Sequence, residues 1–331
     1  MQSTRSDPIN AETLESISAY VQTGNGNLNW TCPFVLPGWL AAWWPHFSMD
    51  WKPYLFSVHH QGNLAGIAPL MRSGRFARLI GDRNVCDHMD VAVAPSRGDP
   101  FCRKLLDHLA QDGVDQLVLS PVREDSAVMT HLLPAAERWG AQISSEPEAQ
   151  LHALSLPDSW KKYLQGLSGK ERHEIRRKFR RLDAAGKVNL RRIEDPDLVP
   201  DAMEKFISLF RANRKDKAAF MTGSMPAFFR SLALNLASGG LLKLYFLDLD
   251  DRTIAATFCI AHRSTVYLYN NGYDDAFRSL SVGLLSKVLT IKDSIRNGWR
   301  IYDFLKGTEA YKRRLGGKPI NIVRCVIALN H

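Results

Sequence analysis

The chain has 331 residues, of which 45% are hydrophobic and 23% charged, and a net charge of +9. That length exceeds the commonest single-domain size, so two globular domains are expected, with an anionic ligand or partner to match the charge. The polar stretch Met1 to Tyr20 does not read as a secretory leader, and Phe34 to Trp44, broken by Pro37, is too short to span a bilayer, so no membrane span is expected.

In chain order, Leu14 to Val21 has the spacing of a short helix, followed by the polar turn Thr23 to Asn27. Phe34 to Phe47 carries Trp39, Trp43 and Trp44 on one helical face, a pattern more often core than ligand cage. Tyr54 to Val58 and Leu64 to Met71 form strands around the turn Gln61-Gly-Asn63, and His88 to Ala94 alternates like a third strand. A helix over Asp99 to Gln111, a strand over Gln116 to Pro121 and a helix over Ser126 to Trp139 complete the first half. Helices follow at Ser159 to Leu167, Glu171 to Ala185, Asp201 to Arg211 and Pro226 to Leu236, with breaks at Ser168-Gly-Lys170 and Gly239-Gly240. The first half's order then returns. It runs as strands Leu242 to Leu249, Ile254 to Ala261 and Thr265 to Asn270, helix Val282 to Arg296, strand Ile301 to Leu305, and a last strand Asn321 to Leu329. This repetition predicts a duplicated α/β unit.

Cys32, Cys86, Cys102, Cys259 and Cys325 are scattered, and the histidines show no ligand spacing. This pattern predicts reduced thiols in a cytoplasm and no metal. Ten basic residues lie between Lys170 and Arg192 and carry most of the charge excess. They read as a solvated face paired with Glu171, Glu174 and Asp183, as an RNA-binding face, or as a cleft wall holding an anionic substrate through residues such as Arg176. Phe179 alone interrupts the run, which weakens single-strand recognition by stacking.

Two constellations carry chemistry. The turn Arg278-Ser279-Leu280-Ser281-Val282-Gly283 feeds an apolar helix with no acidic residue in its first turns. It reads either as an anion site built from backbone N–H groups and Arg278, or as a strand-to-helix connection capped by Ser279 or Ser281. The second constellation is Asp303, Lys306, Glu309, Tyr311 and Lys312, at the end of a strand where open α/β sheets place their sites. Carboxylate and tyrosine suit proton transfer and Lys312 an oxyanion or an acidic acceptor, while the same residues read equally as a solvated, charge-paired loop. Asp87 and Asp90, around the third strand of the first half, are candidate ligands for an amine acceptor if that strand faces a cleft between the domains, and surface charges near a turn otherwise.

The run Arg278-x-x-Ser281-x-Gly283 resembles the R-x-x-G-x-G/A pyrophosphate loop of the GNAT acyltransferase superfamily, with serine for the middle glycine and Val282 where relatives often have proline. Tyr163 to Gly316 is similar to the acyltransferase domain of the CelD-like, Fem-related group, through Leu167 to Leu182, Tyr269 to Asp274, Leu280 to Leu285 and above all Tyr302 to Lys312. Phe34 to Trp44, Gly66 to Leu70 and Cys86 to Asp90 resemble the same group. The resemblance implies tandem GNAT-like domains, each a mixed, mostly antiparallel sheet flanked by helices. Residues 1–155 would form the degenerate acceptor-side domain and 156–331 the acyltransferase domain. It implies a bacterial N-acyltransferase using acyl-CoA, with Ser279 to Gly283 at the pyrophosphate, Tyr269, Asn270 and Asn271 beside the thioester, and Tyr311, Lys312, Asp303 and Glu309 as catalytic candidates. The acceptor would be a small molecule, amino acid or sugar. Two alternatives stand beside it: a Fem-like peptidyltransferase taking aminoacyl-tRNA to a cell-wall precursor, and a non-catalytic binding protein with a decayed donor site.

Overall fold

The computed structural model describes residues 8–22, 28–213 and 215–330; the expected turn Thr23 to Asn27 lies outside the described residues. The chain forms two compact units, one ending at Ala149 but joined by Asn321 onward, the other Gln150–Ile320. The expected division at 155/156 falls at the end of a strand, and the final strand counts with the first unit.

The first unit contains β1 (Ile9–Glu12), α1 (Leu14–Gln22), α2 (Pro37–Phe47), β2 (Lys52–His60), β3 (Asn63–Ser73), β4 (Phe76–Leu79), β5 (Ala92–Val93), α3 (Gly98–Gln111), β6 (Gln116–Arg123), α4 (Leu133–Trp139) and the start of β7 (Gln142–Ser155). Pro37 opens α2, where its missing N–H costs nothing, and Trp39 and Trp43 are fully buried. Phe101, Leu105, Leu106 and Leu109 form the buried stripe of α3. The expected third strand, His88 to Ala94, is corrected. Only Ala92–Val93 pairs, with β3, and β4 occupies the third position instead. Phe76-Ala-Arg-Leu79 is short and follows the tight turn at Gly74, so its alternation is easily read as turn.

Asp90 is therefore not a strand residue facing a cleft. It is buried, and its carboxylate accepts hydrogen bonds from the backbone amides of Val91, Ala127 and Val128 at 2.9, 2.9 and 3.0 Å. Burial pushes its pKa up to about 6 against these bonds. Asp90→Ala is expected to destabilise the protein by roughly 2–4 kcal/mol, because buried donors lose their acceptor. Chemical denaturation checks this, and a loss under about 0.5 kcal/mol would contradict the capping role. Asp87 lies partly buried in the preceding bend.

The second unit continues with α5 (Trp160–Gly166), α6 (Gly169–Asp183), β8 (Val188–Ile193), α7 (Val199–Asn213), α8 (Lys215–Phe220), α9 (Met225–Ser238), β9 (Leu242–Leu249), β10 (Arg252–His262), β11 (Thr265–Tyr273), α10 (Val282–Arg296), β12 (Ile301–Lys306) and α11 (Ala310–Arg314). The chain closes with β13 (Lys318–Ala328). In this unit residues 150–155 of β7 pair β12, and β11, β10, β9 and β8 follow in order. Every pairing is antiparallel except β11 with β12.

The first unit has the same order: β1, the β2–β3 hairpin, β4 parallel to β6, and β13 antiparallel to β6. In each unit a helix, α3 or α10, links the two parallel strands. The repeat expected from sequence is thus a repeat of pairing topology. The fold is mixed α/β with a mostly antiparallel sheet flanked by helices.

Candidate functional site

The second unit holds its most distinctive geometry where β11 leaves β12. The two strands pair in parallel only from Thr265–Ile301 to Tyr267–Asp303, although both continue beyond. A bulge follows in β11, because Phe258 opposes Asn270 while Cys259 opposes Leu268, which leaves Tyr269 as the extra residue. After β11 the chain passes through a short helical turn, Asp275–Leu280, to Ser281, which is left-handed with φ 59° and ψ 33°. Such a φ is costly for a side chain other than glycine, which explains why a glycine suits this position.

Helix α10 starts at Val282. The Leu284 and Leu285 amides both bond the Ser281 carbonyl at 3.0 Å. Among the described residues, the amides of Val282 and Gly283 donate to no acceptor, the arrangement that binds an anion. Gly283 is needed here for space: a Cβ would stand 2.6 Å from the Tyr273 ring. The basic helix α6 packs alongside, and Lys178 Nζ donates to Ser281 Oγ at 2.7 Å while pairing with Glu174 at 3.2 Å. Arg278 is exposed at the same turn.

These groups line a pocket of about 330 Å³ together with Leu284, Lys287 and Tyr311. Lys287 is only 6% exposed. Its Nζ donates to the Gly283 carbonyl at 2.6 Å and stands 5.0 Å from the Tyr311 ring centre. Burial, with the charges of Lys217 and Lys312 adding to it against Glu309, pulls its pKa from 10.5 down to about 7. Burial likewise pushes the Tyr311 phenol above its ordinary value, with Glu309 adding to it. The pocket lining thus brings together an anion cradle, a readily deprotonated amine and a protonated phenol. Among the described residues no cluster of His, Cys, Asp and Glu could hold a metal ion.

The sequence matches the family described as "Acetyltransferase (GNAT) domain" over residues 169–313. Residues 169–313 are thus similar to a GNAT acetyltransferase domain. The matched segment contains α6, the Ser281 turn, α10 and Lys312, so the GNAT match and the pocket coincide. No curated protein matches the chain in sequence.

Among solved structures, FemX is 12% identical, with 96% of each chain covered and a TM-score of 0.65. The C-terminal domain of a putative lysylphosphatidylglycerol synthetase from Agrobacterium fabrum is 11% identical, covers 84% of this chain and 83% of its own, and has a TM-score of 0.56. A tandem GNAT protein from the clavulanic acid biosynthesis pathway is 13% identical, covers 98% and 99%, and has a TM-score of 0.50. At these identities the likeness is one of fold.

Within the matched segment, Arg278, Ser281, Val282, Gly283 and Tyr311 converge on the pocket, while Ser279 and Leu280 lie outside its lining. Tyr269 stacks on Phe229 at 5.6 Å and meets Phe258 edge-on at 5.7 Å, inside an aromatic cluster with α7 and α9. Asn270 continues the pairing with β10, and the Asn271 carbonyl accepts from Lys217 Nζ. Arg176 is exposed on α6. Lys287, Lys178 and Tyr273 went unrecognised in the sequence. The available signal for Lys287 was a lysine three residues after Leu284 and four before Ile291, on the apolar stripe of α10.

Beside the pocket, buried Asp303 and Lys312 form a clasp that the exposed Glu309 closes from outside. Asp303 Oδ1 accepts from the Leu305 amide at 2.8 Å, holding Leu305 at φ 58° in the bulge of β12. Lys312 is 2% exposed. Its Nζ donates to the Leu305 and Lys306 carbonyls at 3.0 and 2.6 Å and pairs with Glu309 at 3.1 Å. Burial raises the Glu309 pKa, but the charge and hydrogen bond of Lys312, its own backbone amide and the charge of Lys287 together make the net shift downward. These partners give Lys312 a structural task. Lys312→Met is expected to cost roughly 2–4 kcal/mol, because two carbonyls and a carboxylate lose their donor. A denaturation midpoint unchanged from wild type would contradict it.

Proposed function

We propose that the chain is an acyl-CoA-dependent N-acyltransferase that passes an acyl group to an amine of a small molecule, amino acid or sugar. The observation that carries this reading is the pair of unpartnered amides at Val282 and Gly283, in the lining of a pocket that Lys287 and Tyr311 also line. The donor's diphosphate suits Val282 N–H, Gly283 N–H, Lys178 and Arg278. The parting of β11 from β12 leaves strand-edge N–H and C=O groups that suit the amides of an extended donor arm.

The chemistry assigned to the residues follows from their proton states. Neutral Lys287 accepts the proton that the acceptor amine gives up as the C–N bond forms. Tyr311, kept protonated by burial, donates to the sulfur as the C–S bond breaks, and Lys287 then returns its proton to the phenolate. The resident groups thus regenerate with each turnover. Continuous detection of free thiol, with acetyl-CoA and longer acyl-CoAs against a panel of amines, tests the reading. Amine-dependent thiol release supports it, and none with any pair rejects it.

The exposed Arg176, Arg180 and Arg181 on α6 favour a second reading, a Fem-like transferase taking aminoacyl-tRNA. A steeply salt-dependent tRNA affinity would select it, because phosphate contacts release counterions. Equal affinity for tRNA at low and high salt would exclude it.

A further inference from the structure

The first unit contains its own pocket, independent of the donor site. Its volume is about 610 Å³, within the range of small-molecule sites, and its walls include Trp51, Phe76, Arg78 and Glu148. Phe76 is a large apolar side chain left 50% exposed at this pocket. Most charges around it are already engaged. Asp82 accepts from the Trp43 indole at 3.3 Å and from the Asn84 amide at 2.8 Å, and Arg324 pairs with Glu146 at 3.3 Å.

Among the described residues, two opposite charges each keep a polar atom without a hydrogen-bond partner. The Arg78 guanidinium stacks over the Trp51 ring at 4.6 Å, but its Nε is buried with no hydrogen-bond partner. Glu148 accepts one bond, from Ser120 Oγ at 2.7 Å to Oε2, and its other oxygen accepts none among the described residues. Arg78 and Glu148 share the pocket yet do not pair with each other. A buried donor without an acceptor costs free energy that a ligand oxygen recovers. A cation and an anion held apart in one pocket are complementary to a ligand carrying both signs.

We propose that this pocket binds a zwitterion of the α-amino acid class, with its carboxylate on Arg78, its ammonium on Glu148 and an apolar side chain against Trp51 and Phe76. A guanidinium matches a carboxylate bidentately, and an ammonium makes a charge-assisted bond to the open carboxylate oxygen. The ligand need not be a substrate of the donor pocket, so binding here stands or falls apart from acyl transfer.

Calorimetry on the full chain tests it with L-phenylalanine, L-leucine, L-phenylalanine amide, N-acetyl-L-phenylalanine and inorganic phosphate. The two amino acids are expected to bind, and the amide and the N-acetyl compound about tenfold or more weaker, since each loses one charge-assisted bond. Arg78→Gln should bind L-phenylalanine about tenfold weaker and no longer distinguish it from the amide. Glu148→Gln should do the same toward the N-acetyl compound. The ligand comparison on the wild-type protein holds even if a variant folds poorly. The proposal is overturned if neither amino acid binds, if the N-acetyl compound binds as well as phenylalanine, or if phosphate binds as tightly as either.

Discussion

Replacing Lys287 with methionine is expected to lower kcat by about 10²–10⁴-fold, the contribution of a positioned general base, while leaving acyl-CoA affinity within a few-fold of wild type. The same change is expected to raise thermal stability. Lys287 is buried on the apolar side of α10, and its charged form is disfavoured there. Its pKa falls from 10.5 to about 7, so between those values the unfolded chain binds the extra proton. The penalty is absent above the unfolded value and fully present below about pH 7. The gain in Lys287→Met should therefore be larger at pH 6 than at pH 10.

Activity follows the same titration with the opposite consequence for the rate. Below about pH 7 the amine is protonated and cannot accept, so kcat/KM should rise through about pH 7 and level above it. Burial causes most of the shift and the charge of Lys217 comes next. Lys217→Met should therefore move the limb to higher pH. Wild-type kcat in Lys287→Met would place the base elsewhere, and a pH limb unmoved by Lys217→Met would reject the electrostatic assignment.

Gly283→Val should weaken acyl-CoA binding by about 5–150-fold, corresponding to an overpacking cost of roughly 1–3 kcal/mol. Glycine is normally a poor helix residue, so by propensity alone the substitution would stabilise α10. The clash decides the sign. A Cβ at this position lies 2.6 Å from Tyr273, a residue of the pocket wall, and the first turn or the ring must shift. Either movement disturbs the two amides that hold the anion. Tyr273→Ala in the Gly283→Ala background should recover most of the affinity that Gly283→Ala loses. Unchanged binding in Gly283→Val would mean that the diphosphate does not sit at α10.

Much of the second unit was legible because its signals are local. The strands expected over Leu242 to Leu249 and Ile254 to Ala261 pair as the β9–β10 hairpin, and α10 runs over Val282–Arg296 as its apolar spacing predicts. Strands β1, β4, β7 and β8 escaped. The first two have four residues each, and the other two carry many exposed polar or charged positions that blur alternation.

The site divides along the same line. Arg278 to Gly283 was visible as a turn, whereas its partner Lys178 lies 103 residues away and was one basic residue among ten. Asp90 looked like a polar position on an alternating strand, yet its neighbour's amide and two from the distant Ala127 and Val128 claim its carboxylate. Lys312 had the chemistry of an oxyanion ligand, but two carbonyls of the preceding bulge occupy its ammonium. Composition and spacing announce which side chains are chemically able. The tertiary contacts decide which remain available.

Titration calorimetry of the wild-type chain and Gly283→Val with acetyl-CoA and a longer acyl-CoA tests the central claim most directly. Saturable binding by the wild type, weakened in the variant while its fold persists, is expected. Absence of binding to any acyl-CoA, or equal binding by both proteins, would contradict a donor site at the start of α10.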